Sequence, residues 1–414
     1  MSTKALGIDL SDTNTNLVFS GIDVVLSFPT TICREKGKDE WFVGEDAYKK
    51  LLKGDGVIID KLLSLTIRKG TATIDNVKYK GKEILKKFFQ TIIDRVVSKY
   101  SIGYPEEIVI SIPKLDSNIV DQVMSCFVEL GYIKSHIHVI SRCESFICYT
   151  MKQKKEIWNN QVGLFYLSDH ELTYYELKVT QGYRNVTVMA NSWDGDTNFD
   201  TNVLRTPTGA KVGDQILFAL AQKMIQKRLF SSILLAGRGF ENLNDWAINF
   251  KSFVCHSNRK VFYEKNLFAI GACNKAVDLM NQVNNQGFTC ICDGRLSTTV
   301  YINIVKNSKE LEVPLAKAGD SWYTLTKEMR VIADSETGIE ISVLPINEKS
   351  KKKIKIPLDF IPKRPDRMKK TMRVDLKTAF KDSRTMIIDI KDAGFGDIIE
   401  SSKAHFVKEV DLWD

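Results

Sequence analysis

No stretch of these 414 residues is apolar for the length of a membrane span. The first apolar run breaks at Asp9, too early for a secretory signal, so a cytoplasmic protein is expected. Histidine is scarce, at five, and proline numbers nine. No GxxxxGKS or GxxxxGKT loop, HExxH or GxSxG occurs, which leaves P-loop, zincin and serine-hydrolase chemistry without a carrier. Paired zinc-type cysteine spacing is missing as well. The eight cysteines (Cys33, Cys126, Cys143, Cys148, Cys255, Cys273, Cys290 and Cys292) are scattered, mostly in apolar stretches, and read as reduced thiols. Only Cys290 and Cys292 lie close, and no second pair completes a site with them. His136 and His138 alternate on an expected strand and face one side, but no third metal ligand stands nearby; no metal is expected.

Most of the chain also lacks net charge. Residues 349–373 hold eleven Lys or Arg against Asp359 and Asp366, a balance of +9, so the rest of a +8 chain sums to −1. The basic segment has two readings: lysines on a solvated edge strand, or a surface for nucleic acid, an anionic membrane or an acidic partner. Phe360 is the one aromatic among these charges, which gives base stacking no platform. Neither nucleic acid nor a membrane is the expected partner.

What is present is a repeated order of elements. "KALGIDLSDTNTNLVFS" (4–20) reads as two strands around a polar turn, Ser11-Asp12-Thr13-Asn14. By itself this is an ordinary hairpin or one whose hydroxyls and N–H groups grip an anion. "VVLSFPTTI" (24–32) follows, then an insertion, the strand "EEIVISIP" (106–113), a helix at 116–131, the strand "HIHVI" (136–140) and a helix near 143–155. Nearly the same order recurs. Strands are expected at 161–168, 172–179 and 183–190, a helix at about 212–228, a strand at 231–236, a helix around 242–254, a strand at 259–265 and a helix at 266–281. Such a duplication suggests two α/β lobes across a cleft. Within the insertion, "GKEILKKFFQTIIDRVVSKY" (81–100) is an amphipathic helix packed on a core. "NQVNNQG" (281–287) reads as a linker. Beyond it the apolar period changes to two, as in "TTVYINIV", "KIKIPLDF" and "TMRVDL", which marks an antiparallel β-domain.

These stretches resemble the actin and heat-shock-chaperone ATPase superfamily, most closely the seventy-kilodalton heat-shock (DnaK-type) chaperones. "GIDLSDTNTNLVF" resembles their first phosphate hairpin, with Asp9, Thr13 and Asn14 kept and Ser11 for the usual glycine. "SFPTTICREKGKDEWFVGEDAYK" resembles the next chaperone stretch, and "IVISIP" the strand ending in Pro113. "CESFICY" resembles the connecting helix whose glutamate, here Glu144, sits near the metal's water shell. "ILLAGRGF" resembles the adenosine loop, carrying Gly237, Arg238 and Gly239, and "FAIGACNKA" the following helix with Gly271. Lys61 stands near the place of the lysine that assists phosphate transfer. The whole chain is similar to a bacterial family of chaperone-like proteins.

The resemblance implies an α/β fold: duplicated ribonuclease-H-like lobes of the actin and chaperone ATPase type, with a C-terminal antiparallel β-sandwich. The first lobe is 1–158, with an inserted subdomain at about 33–105. The second is 159–281, lacking the family's usual inserted subdomain, and the sandwich is 288–414. Nucleotide contacts would fall on Asp9, Ser11, Asp12, Thr13, Asn14, Lys61, Glu144, Ser168, Asp169, His170, Gly237, Arg238, Gly239 and Gly271.

The second phosphate hairpin departs from the pattern. "YLSDHEL" stands where an aspartate, a leucine, three glycines and a threonine belong. Tyr166 replaces the acid that would organise magnesium and water. Ser168, Asp169 and His170 carry Cβ atoms where backbone N–H groups must approach phosphates. At about 5 Å and an effective dielectric of roughly 20, Asp169 and Glu171 would each cost a polyanion on the order of 3 kcal/mol. That is about two decades of affinity. The expected protein is a degenerate chaperone-type scaffold, a pseudo-ATPase that binds a protein partner or client. A J-domain protein or an intact chaperone would suit that role, with at most weak ATP and magnesium binding. The alternatives are a weak ATP-dependent chaperone and an actin-like assembly protein.

Overall fold

The structure is a computed structural model that describes residues 4–22, 24–181, 186–195, 199–256, 259–282, 287–333, 338–362, 372–396 and 398–413. It is mixed α/β and divides into two units, Met1–Phe288 and Thr289–Asp414.

The first unit holds two sheets of matching strand order. One runs Ile137–Ser141, Glu107–Ile112, Ala5–Leu10, Asn14–Phe19, Val25–Pro29. The other contains, in order, Lys260–Tyr263, Phe230–Ala236, Gln161–Ser168, Glu171–Gln181 and Val186–Asp194. In each, a hairpin pairs antiparallel and the strands on its other side run parallel to the hairpin's first strand. Parallel strands are covered on both faces, which is why Ala5–Leu10 and Glu107–Ile112 are buried at every residue.

Each sheet sends one helix to the other. Arg142–Thr150 follows the last parallel strand of the first sheet and packs toward the second, with Phe146 edge-on to Tyr175 at 6.4 Å. Leu267–Met280 follows the last parallel strand of the second sheet and lies on Ala5–Leu10. Two glycines permit this close approach. A Cβ on Gly7 would stand 2.1 Å from the Cys273 backbone nitrogen, and one on Gly271 would stand 2.0 Å from the Ser145 carbonyl oxygen.

Several boundaries differ from those the sequence suggests. The stretch 24–32 is not one strand. Val25–Pro29 belongs to the first sheet, while Ile32–Glu35 joins Trp41–Val43 and Gly56–Ile59 in a small separate sheet. The insertion also carries a hairpin, Thr71–Ile74 and Val77–Lys80, whose Asp75 and Asn76 both take positive φ. The amphipathic helix is Gly81–Tyr100, as its pattern indicates. The helix expected at 212–228 begins earlier, at Pro207, because the Thr206 hydroxyl accepts from the Gly209 N–H and proline suits the first turn. The helix expected at 242–254 is two pieces, Leu243–Trp246 and Ile248–Val254. It restarts because the Asp214 carboxylate accepts from the Asn249 and Phe250 N–H groups at 3.0 and 2.9 Å. The expected linker 281–287 falls partly outside the described residues, which omit 283–286.

The second unit contains two antiparallel four-stranded sheets. Lys309–Ala316, Thr298–Lys306, Ile339–Pro345 and Lys352–Ile356 form one; Lys327–Ala333, Met372–Phe380, Thr385–Asp392 and His405–Asp411 form the other. Burial alternates along Met372–Phe380 and Thr385–Asp392, as a period of two requires. "KIKIPLDF" stops being strand at Ile356, where Pro357 removes the next N–H. Lys352–Ile356 is an edge strand; Lys351, just before it, pairs with Glu312, and Lys353, within it, pairs with Glu340. Phe360 stacks on Phe406 at 5.0 Å. The remainder of the basic segment, 363–371, and most of the "SETG" turn lie outside the described residues.

Candidate functional site

The two hairpin turns face one another, and the side chain between them is Arg142. It is fully buried at the head of Arg142–Thr150. Its Nε and Nη2 donate to the Asp9 carboxylate at 3.0 and 3.3 Å, and its Nη1 donates to both Glu171 oxygens at 3.0 and 2.9 Å. Asp9 stands one residue before the end of the first strand of one hairpin; Glu171 begins the second strand of the other. The guanidinium lies against two aromatic rings that touch each other, 4.6 Å from the Tyr166 centroid and 4.9 Å from that of Phe268, with the centroids 5.2 Å apart.

This arrangement governs the electrostatics. Burial raises the Asp9 carboxyl from its ordinary value, against the charge and hydrogen bonds of Arg142. Burial also disfavours charge on Arg142, but Asp9 and Glu171 outweigh it and hold the guanidinium protonated. A guanidinium keeps its proton in any protein setting, and its fixed charge opposes the protonation of Asp9 that burial favours. Desolvation pushes the Tyr166 phenol up, so a neutral ring takes the position of an expected acid.

Glu171 thus requires a correction. The sequence suggests a bare carboxylate repelling anions, whereas Arg142 pairs with it. Arg142 itself was legible only as a charge following the apolar run "HIHVIS"; nothing local shows that its partners lie 133 and 29 residues away.

The hairpin tips also touch. The Asn14 amide donates to Asp169 at 3.1 Å and accepts from Arg238 at 3.4 Å. Ser11 is spent on its own turn: its hydroxyl donates to the Asn14 carbonyl at 2.9 Å and accepts from the Asn14 N–H at 3.2 Å. Asp12 accepts from the Ser64 N–H at 2.8 Å and from the Ser64 hydroxyl, joining the turn to the helix Leu62–Ile67. Thr13 remains exposed at the tip. The space around Asp9, Asn14, Tyr166, Ser168 and Arg238 measures about 10 Å³, room for a single water. A second opening of about 290 Å³ lies at the cleft mouth, between Thr13 and Ser168.

Other expected contacts fall elsewhere. Lys61 is exposed in a left-handed conformation before Leu62–Ile67 and lines neither opening; Lys114 stands at the mouth instead. Glu144 is buried 3.7 Å from Lys275. Gly271 is a helix-crossing residue. Gly237, at φ 92°, and Gly239 let their loop lie against Leu167. Asp169, Arg238 and Gly239 border a cavity of about 820 Å³ with Arg205 and Trp246. His170 turns to Asp200 at 3.4 Å.

His136 and His138 do share a side, but both bind one carboxylate. Glu107 meets His136 Nδ1 at 2.9 Å and His138 Nε2 at 2.8 Å. Among the described residues no group of three or more His, Cys, Asp or Glu is arranged to hold a metal. Burial lowers the His138 pKa from its ordinary value, against the opposing charge of Glu107. The unfolded chain therefore takes up a proton more readily at this site. Its contribution is complete above about 6.5 and is lost as pH falls through the lowered folded value. Urea unfolding at pH 7 and pH 5 is expected to show a smaller acid-induced loss in His138→Gln than in the parent; equal losses would contradict this.

Residues 22–293 match the model of a family of unknown function, DUF5716 C-terminal, and residues 295–412 match a domain of unknown function, DUF8552. No curated protein matches the chain. With more than half of its length inside the first match, the chain belongs to the DUF5716 C-terminal family.

Proposed function

We propose that the first unit is a duplicated ribonuclease-H-like pair of lobes of the actin and heat-shock-chaperone type that no longer turns over ATP. The protein then acts by binding a protein partner, with the C-terminal unit serving as a β-sandwich binding module. The observation that carries this reading is Arg142, buried between Asp9 and Glu171. Its fixed cation pairs with Asp9, the acid kept in the first hairpin, and its side chain fills the space between the hairpins. A metal ion cannot share a carboxylate already satisfied by a bidentate guanidinium without breaking that pair.

The cavity of about 820 Å³ beside Arg238 favours a second reading, in which a nucleotide still binds weakly with its base on that side. Calorimetry with magnesium and ATP separates the two. Scaffold function predicts affinity weaker than about 100 μM and no phosphate release above background. Tighter binding, or steady turnover by the unmodified chain, overturns the proposal in favour of an ATPase.

A further inference from the structure

We propose that the opening of about 290 Å³ at the cleft mouth is a binding site for a small monocarboxylate with a short apolar body. The inference rests on the reading that the nucleotide position is closed by Arg142, because a bound triphosphate would occupy the same mouth.

The floor of this opening is apolar: Leu63, Ile67, Pro113 and Ile119. Burying such a floor under a ligand is favourable in proportion to the area covered, whereas water gains little there. At about 290 Å³ it stands at the lower end of small-molecule sites, roughly 300–1,000 Å³. The occupant is accordingly small.

The rim decides the polar group. Both carboxylates on the wall are already engaged, Asp12 by Ser64 and Glu171 by Arg142. The cation at the rim is loosely held. Lys114 pairs with solvent-exposed Asp194 at 3.3 Å, with 83% of its own side chain accessible. The Thr13 hydroxyl, which meets that of Ser11 at 3.3 Å, and the Ser168 hydroxyl, which bonds Tyr166, line the same opening and can turn toward a ligand. A single carboxylate therefore finds one ammonium at the rim of an opening that two hydroxyls also line. A phosphate ester would bring a second negative charge against Asp12 and Glu171, and an amine would face Lys114.

The test uses the full chain and hexanoate as the probe, followed by ligand-observed NMR, with hexylamine and hexyl phosphate as controls. Lys114→Glu and Ile67→Glu alter rim and floor at exposed positions, and circular dichroism checks that both variants keep the parent fold. Hexanoate is expected to bind in the millimolar range or tighter, to weaken about tenfold or more in each variant, and to exceed both controls. Binding weaker than about 10 mM, equal binding of hexylamine, or hexanoate affinity unchanged in either variant overturns the proposal. A parallel titration with magnesium and ATP keeps the two readings apart. Tight ATP binding defeats the closed-cleft reading, while absence of both ATP and hexanoate binding defeats this inference alone.

Discussion

Arg142→Met is expected to cost the first unit about 3–5 kcal/mol of stability, the usual penalty for stranding one partner of a buried ion pair. Methionine keeps an apolar chain against the Tyr166 and Phe268 rings, so little of the loss comes from packing. The loss comes from Asp9, which is 3% exposed and is left largely desolvated once its guanidinium is gone. Glu171 contributes less, because a third of its side chain is accessible and can rehydrate. Adding Asp9→Leu to Arg142→Met should restore most of the stability, since removing both buried charges leaves without its partner only Glu171, which water can reach. Urea unfolding of the two single variants and the double variant gives the coupling directly. A loss under about 1 kcal/mol for Arg142→Met would mean that the bridge is not the pin between the hairpins. The same geometry modifies any attempt to rebuild a nucleotide site. Tyr166→Asp with glycines at 168–170 leaves Arg142 in place, so recovery of magnesium and ATP binding is expected only when Arg142 is replaced as well.

Gly271→Ala is expected to be nearly as damaging, though it adds a single methyl group. The new Cβ would stand 2.0 Å from a carbonyl oxygen of Arg142–Thr150, and both sides of that contact are helix backbone. Neither can yield as a side chain does, so the helices must separate, at about 1–3 kcal/mol or more. Gly103→Ala is the control, because a Cβ there meets nothing within 4 Å. Its melting temperature should stay within error of the parent's. A Gly271→Ala variant as stable as Gly103→Ala would show that the helices crossing between the sheets are not in close contact. The measurement also separates a packing role for Gly271 from the nucleotide contact that its motif suggests, since a contact residue would change binding without changing stability.

Much of the architecture was legible because it is written in local periods. The alternation in "TMRVDL", the spacing in Gly81–Tyr100 and the apolar runs of Ala5–Leu10 and Glu107–Ile112 each follow from burial of one face or both. The doubled order of strands and helices was visible for the same reason. Boundaries failed where a distant residue intervened, as when Asp214 caps Ile248–Val254 and divides one expected helix.

The site was half legible. Chain order alone puts Asp9, Ser11, Asn14, Ser168 and Asp169 on two polar turns, and the loss of glycines at 168–170 is plain from their Cβ atoms. What those turns do to each other is a long-range matter. Asn14 meets Asp169 from 155 residues away, and Arg142 meets Asp9 from 133. A linear sequence records charge and polarity but not which charges face one another. Glu171 therefore looks repulsive in the sequence and is neutralised in the fold. Only packing, with a helix from one sheet laid against the other, brings the guanidinium, two carboxylates and two aromatic rings to one point. There desolvation makes their pairing obligatory.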